Sequence, residues 1–252
     1  MRPAPIALQL YTIRDVLAKD FTAGVKQIAG MGYAGVETAG FPGTTPAQAA
    51  RLFQELGLEV VAAHLPLPLG ERQNEVLDAM AGLGCTRLVC PGLGHDLWSS
   101  LEGVQRAADL LNQGYQVAAQ HGLSLGFHNH AIEFTRIDGQ FAYDLLVERL
   151  DPGVFFEVDT YWVKVGGGDP LGVIRRLGRR APLLHLKDGP GAHHLPQTAV
   201  GGGIMDVPAL VQAAGENAEW LIVELDDCAT DMMAAVQQSY QYLTAGGLAR
   251  GR

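Results

Sequence analysis

The segment Leu123–Phe134, LSLGFHNHAIEF, carries a short apolar run into His128, Asn129 and His130, with Glu133 three residues further on. Turn formers usually close such runs, so a cluster of potential ligands at this point asks for a chemical reason. Other apolar runs end in the same way. His64 closes EVVAAH, and Glu157 and Asp159 stand in VFFEVDT. His185, Lys187 and Asp188 stand in LLHLKD, and Glu224, Asp226 and Asp227 in WLIVELDD. Imidazole together with several carboxylates is an oxygen-rich donor set that suits Mn²⁺, Mg²⁺, Co²⁺ or Zn²⁺ better than a thiolate site would. Two carboxylates can also divide a proton transfer. One takes a proton from a carbon beside a carbonyl and the other returns it, while a cation holds the enediolate oxygens.

Each candidate has a plainer alternative. An unpartnered imidazole between the leucines of LLHLKD would be costly to bury, which favours His185 as a ligand. The same cost applies to Asp159 and Glu224, each at the end of an apolar run. Glu157 is either an alternative ligand or the partner of a lysine lower in the fold. His64 reads equally as a hydrogen-bonded structural residue and as a substrate contact. Trp162 could stack on a sugar face or pack in the core. GGGIMD (201–206) could cradle an anion through backbone N–H groups or form a loop before a helix. Lys164, Arg175, Arg176, Arg179 and Arg180 read as a solvated helical face.

The elements that must position these groups follow from hydrophobic periodicity. Strands are expected at 6–12, 35–39, 59–65, 87–92, 124–130, 154–160, 183–188 and 220–226. Most are apolar throughout, as strands covered on both faces are. Helical spacing fills the intervals. TPAQAARLFQELG has a threonine cap, a first-turn proline and a closing glycine. The pattern continues in LWSSLEGVQRAADLLNQGYQVAAQHG, DPLGVIRRLG, VPALVQAAGENA and MMAAVQQSYQYLTAGG. Eight such cycles predict an α/β fold, a (β/α)₈ TIM barrel with 1–252 as a single domain. A doubly wound sheet would carry a glycine-rich turn after its first strand, where this chain has YTIRD. Barrel enzymes set their chemistry at the C-terminal ends of the strands, which is where the ligand types collect.

Composition bounds the partners. The 252 residues carry a formal net charge of −9, which argues against nucleic acid. No apolar run approaches the ~18 residues of a membrane span. MRPAPIALQLYT lacks a secretory h-region, so the expected location is cytoplasmic. Cys85, Cys90 and Cys228 have no metal-motif spacing and are expected to be reduced thiols. The expected partners are a small-molecule sugar or cyclitol and, through a segment such as LWSSLEG, a second copy in a homo-oligomer.

FHNHAIEF, FEVDTYWVKVGGGDP, LLHLKDG, GGGIMDV and WLIVELD, in that order, resemble the sugar phosphate isomerase/epimerase family of the xylose-isomerase-like barrel superfamily. The likeness runs along essentially the whole chain, from LQLYTIRD and GYAGVETAG to the last strand. It implies a TIM barrel with one divalent ion, Mn²⁺ first among Mn²⁺, Mg²⁺, Co²⁺ and Zn²⁺, held by Glu, Asp, His and Glu. Carried onto this sequence, those ligands are Glu133, Asp159, His185 and Glu224. HNHAIE places Glu133 one residue later than the family's spacing, which leaves His128 or His130 as its alternative. The implied activity is epimerisation or isomerisation of a ketose through a metal-stabilised enediolate, with Glu133 and Glu224 as the catalytic acid and base. His64, His128, Asn129, His130, Trp162 and Lys187 are the implied substrate contacts. A lyase acting on an inosose or 3-keto sugar could use the same site, as could an aldose–ketose isomerase. Apurinic endonucleases share the superfamily but need three metals, more histidine ligands and a basic surface.

Overall fold

A computed structural model describes residues 3–252. Eight parallel strands close on themselves: β1 (Ile6–Gln9), β2 (Gly35–Thr38), β3 (Glu59–His64), β4 (Arg87–Cys90), β5 (Ser124–His128), β6 (Phe155–Asp159), β7 (Leu183–Leu186) and β8 (Trp220–Val223). Each pairs with the next in sequence, and β8 returns to β1 with Leu221 opposite Ile6. Helices lie between successive strands, as the alternation of apolar runs and helical spacing predicts. The only other sheet among the described residues is a two-stranded hairpin, Arg136–Ile137 with Gln140–Phe141.

Local chemistry accounts for the helix starts. Thr45 and Gln48 form a capping box before the helix Pro46–Glu55. Ser100 accepts the Gly103 N–H at the start of Leu101–Gln120. That long helix therefore begins later than LWSS suggests, and His95–Trp98 forms a separate 3₁₀ turn. Asp169, Asp206 and Asp231 cap the helices Pro170–Leu177, Val207–Ala214 and Met232–Ala245. No helix among the described residues is long and apolar enough to cross a membrane. Cys85, Cys90 and Cys228 are all free thiols.

The strands end earlier than the apolar runs do. β1 stops at Gln9, whose side chain accepts the Tyr11 N–H and starts a 3₁₀ turn. β6 stops at Asp159, whose Oδ1 accepts the Trp162 N–H and caps the helix Thr160–Val165. β5, β7 and β8 likewise leave the ladder just before Asn129, Lys187 and Glu224. The side chains of Gln9, Asn129 and Asp159 bond backbone groups there, so strand termini and the candidate site share residues.

The main core lies between the barrel and its helices. A second cluster, including Val61, Val89, Leu183, Trp220 and Ile222, fills the barrel itself. Strand alternation puts Leu183 one layer below His185, so this cluster is the floor under the polar groups. Leu183→Ala is expected to cost about 2–5 kcal/mol, read from urea unfolding. A loss below about 1 kcal/mol would show that the floor can collapse around the gap.

Candidate metal centre

Alternation turns Glu157 and Asp159 to the same face of β6. His185 and Lys187 share a face in β7 and beyond, as do Glu224 and Asp226 after β8. Ligand atoms of His128, Asp159, His185 and Glu224 all lie within 4.8 Å of one another, and all four residues are buried. A second group, His64, His128, Glu157 and His185, meets the same limit and shares two of these residues.

The distances describe two layers. In the upper one, His185 Nδ1 lies 2.6 Å from Glu224 Oε2. His128 Nε2 is 3.9 Å from Asp159 Oδ2. Lys187 Nζ reaches Asp226 Oδ2 at 2.7 Å, Glu224 Oε2 at 3.0 Å and Asp159 Oδ2 at 3.1 Å. In the lower layer, His185 Nε2 is 2.7 Å from Glu37 Oε2, and Gln9 Nε2 donates to that same oxygen at 2.8 Å. Glu157 Oε2 lies 2.5 Å from His64 Nε2 and 3.1 Å from His128 Nδ1. Glu157 thus pairs with imidazoles and not with a lysine.

Burial opposes every charge here, and the neighbours decide which groups keep theirs. Burial raises the Asp159 carboxyl to about 6 against the pull of Lys187 and His185. For Glu224, burial is outweighed by Lys187 and His185, which hold it well below the usual carboxylate range. His185 and His64 do the same for Glu157, helped by hydrogen bonds from His128 and His185. Burial and the charge of Glu157 push its neighbour Glu37 up to about 7. His185 is raised well above an ordinary histidine because Glu157, Glu224 and Glu37 overcome its burial. Burial, then the charge of His185, takes His128 well below the usual value, and burial with Lys187 takes His130 down to about 4.

The sequence-derived candidates separate in space. Asp159, His185 and Glu224 come together, and His128 completes the group. Glu133 does not enter it. It lies in a 3₁₀ turn, Ile132–Phe134, where its Oε2 accepts the His130 N–H at 2.7 Å. The turn directs the carboxylate back to its own loop, and the one-residue excess in HNHAIE is the sequence trace of this. Asn129 acts as a clamp, donating to the Asp159 carbonyl and accepting the Asp159 N–H. The Trp162 ring lies between Lys187 Nζ, 5.3 Å from its centroid, and the His193 ring. His64, His128 and His130 line a cavity of about 290 Å³ with Tyr11, Ala39, Pro91, Glu224 and Asp226. A larger groove, about 940 Å³, opens on β3 and β4 near Arg51, Glu59 and Arg87. It lies at the start of those strands, away from the ligating groups.

Gln9 and Glu37 were not singled out by the sequence pattern. Their signal was a lone amide in IALQ and a lone carboxylate in GVET, both inside strands that are otherwise apolar or small. Of the two readings of GGGIMD, the loop before a helix holds, Asp206 capping Val207–Ala214, and the N–H groups of an anion cradle are taken by the chain itself. Asp188 accepts the N–H groups of Gly189, Gly201 and Met205. A Cβ on Gly203 would overlap Asp188 and the Gly189 backbone, so the loop closes this tightly only on glycine.

A family description, xylose isomerase-like TIM barrel, matches residues 25–245. No protein of curated function matches the chain in sequence. A sugar phosphate isomerase/epimerase from Parabacteroides distasonis superposes with a TM-score of 0.83 at 23% identity, over 99% of this chain and 96% of that one. A structure titled L-ribulose 3-epimerase gives 0.71 at 16% identity, over 97% and 94%. An IOLI protein solved with a zinc atom gives 0.73 at 13% identity, over 97% and 98%. Likeness at these identities is likeness of fold.

The position of Glu133 generates a pH test. Burial raises its carboxyl to about 7, so its ionisation costs stability that is intact below the unfolded value of roughly 4.3 and lost as pH rises through the folded value. Glu133→Gln lacks this loss. Its stability relative to wild type, from urea unfolding, is expected to improve between about pH 5 and pH 8. A flat difference would show that Glu133 ionises without cost.

Proposed function

Because the chain belongs to the xylose isomerase-like TIM barrel family, we propose that it is a divalent-metal-dependent sugar isomerase or epimerase acting on a ketose. The observation that carries this reading is the convergence of His128, Asp159, His185 and Glu224 at the C-terminal mouth of the barrel, where enzymes of this fold work. The donor set fits a divalent ion. It offers two imidazoles and two carboxylates, the range taken by Mn²⁺, Co²⁺ and Zn²⁺. Asp159 Oδ2 is buried without a directed hydrogen bond, with the Lys187 ammonium at 3.1 Å and His128 Nε2 at 3.9 Å, so it has a lone pair to give. His128 takes the place first assigned to Glu133.

When bound, the ion would neutralise charge that develops on the substrate oxygens as a proton leaves the adjacent carbon. The chain supplies the rest. Glu224 and His130 both face the cavity, from strands three places apart around the ring. His130 is neutral at pH 7 because burial and Lys187 depress it to about 4, so it is a weak base suited to hydrogen bonding with a substrate hydroxyl. Glu224 stays ionised through Lys187 and His185. We assign proton removal from the substrate carbon to Glu224, the enediolate regaining its proton from Glu224 on the same face or from solvent on the other, with His130 as a hydrogen-bonding wall; this replaces a Glu133–Glu224 pair. Lys187 is buried behind the cavity and keeps Glu224, Asp226 and Asp159 in place. Tyr11, Ala39, His64, Pro91, His128 and Asp226 form the remaining cavity wall.

Metal content by mass spectrometry is the first test. Wild type is expected to hold about one divalent ion per chain, as a catalytic site of this kind does. His128→Ala should lose most of it and Glu133→Gln should keep it. The reverse pattern would restore Glu133 to the ligand set. For the reaction, ketoses incubated in deuterium oxide are expected to take up solvent deuterium and give an epimer or isomer of unchanged composition. Chelator-treated protein should show neither. Loss of water from an inosose or 3-keto sugar would assign the protein as a lyase instead.

A further inference from the structure

We propose that Glu37 and Glu157 are positioning residues that set the tautomers of the two candidate histidine ligands, Glu37 acting on His185 and Glu157 on His128. This deepens the metal reading above and rests on it. Both histidines are held in the same way. His185 directs Nδ1 to Glu224 in the upper layer and Nε2 to Glu37 in the lower at 2.7 Å, with Glu157 Oε2 further from the same nitrogen at 3.1 Å. His128 directs Nε2 toward Asp159 and Nδ1 to Glu157. A neutral imidazole has one N–H and one lone pair. A carboxylate at the far nitrogen draws the proton there and leaves the lone pair on the nitrogen that faces the upper carboxylates.

Three features show that this lower layer is held in register. Gln9 donates to Glu37 Oε2, the oxygen that meets His185. The β2–β3 register slips between Val36 and Glu37, an irregularity of the kind that re-aims a side chain. His64 Nε2 lies 2.5 Å from Glu157 Oε2 and 3.3 Å from Glu37 Oε2, tying the two carboxylates together. Packing alone does not explain this arrangement. Buried ion pairs are often replaced by apolar groups at no loss of stability, and Glu37 Oε1 and Glu157 Oε1 have no hydrogen-bond partner at all.

The test compares wild type with Glu37→Gln, Glu157→Gln and the milder Gln9→Leu. Metal affinity is measured by chelator competition with Zn²⁺ and Co²⁺ on stripped protein. Tautomers are read from the ¹⁵N shifts of labelled histidine, with and without Zn²⁺. Either glutamine variant is expected to weaken binding roughly 10- to 100-fold, the usual loss for a group supporting a metal-bound histidine. Gln9→Leu should weaken it less. In zinc-loaded wild type, His185 is expected to carry its one proton on Nε2 and His128 on Nδ1; Glu37→Gln should change the His185 signal alone, and Glu157→Gln the His128 signal together with a smaller change at His185. Unfolding of the stripped protein should not fall in parallel with affinity. Affinities within about twofold of wild type together with unchanged tautomers overturn the proposal, because such a group would not be supporting the ligands. So does uptake of two ions per chain, which would make the lower group a second cation site. If wild type takes up no ion, the metal reading fails and Glu37's role at His185 fails with it, while the tautomer of His128, neutral without an ion, still decides whether Glu157 sets that ring.

Discussion

Glu37, Glu157, Asp159 and Glu224 are all buried inside one end of a parallel barrel. An isolated carboxylate in such surroundings costs several kcal/mol to keep ionised, so the site depends on what faces each one. The permanent cation is Lys187, itself buried, with Asp159, Glu224 and Asp226 around it. Its ammonium is raised above an ordinary lysine because these three overcome the burial. One ammonium does not balance four carboxylates. The imidazoles of His64, His128 and His185 stand between them, and they can balance charge as imidazolium or as neutral ligands to a cation. Ligand histidines must be neutral, so cation binding and proton release are coupled. The raised His185 is the group through which that exchange would be felt.

The same constraint explains the layering. Below the polar groups, Val61, Leu183, Trp220 and Ile222 close the barrel with apolar side chains, which keeps water from the lower carboxylates. Above them the strands stop early, and the polar residues at their ends take over the hydrogen bonding. Asp159 illustrates the division of labour within one carboxylate. Oδ1 caps a helix through the Trp162 N–H, while Oδ2 remains without a directed hydrogen bond and faces Lys187.

The barrel was legible in the sequence because parallel strands covered on both faces read as continuous apolar runs. All eight fall within the expected segments. Their ends were overestimated because the expected segments run on through the residues that close them, such as Lys187 and Asp188 in LLHLKD, where the backbone has already left the ladder. Asp159, His185 and Glu224 were legible as costly polar residues in apolar surroundings. His128 and Glu133 were harder to separate, since spacing alone does not report that a 3₁₀ turn faces its carboxylate toward the His130 N–H. Gln9 and Glu37 escaped notice for a different reason. Each is the lone polar residue with a long side chain in a four-residue strand, and its meaning depends on β1, β2 and β7 closing around a common axis, which no local pattern encodes.

The neighbouring strands β5 and β6 show how firmly the upper group is held. Phe127 and His128 stand opposite Phe156 and Glu157 in the ladder. One residue further on, the main chain of β5 can no longer pair, and the Asn129 side chain replaces it. Its amide donates to the Asp159 carbonyl and accepts the Asp159 N–H, at 3.2 and 3.1 Å. This reproduces the two bonds that another backbone residue would have made, so register passes from the ladder into the site. His128 and Asp159 are thereby fixed relative to one another by the backbone on both strands and not only by their own contact. A group that must present lone pairs at a common point needs that rigidity. In this light HNH reads as three distinct devices: a candidate ligand in His128, a strand clamp in Asn129 and a neutral, cavity-facing imidazole in His130.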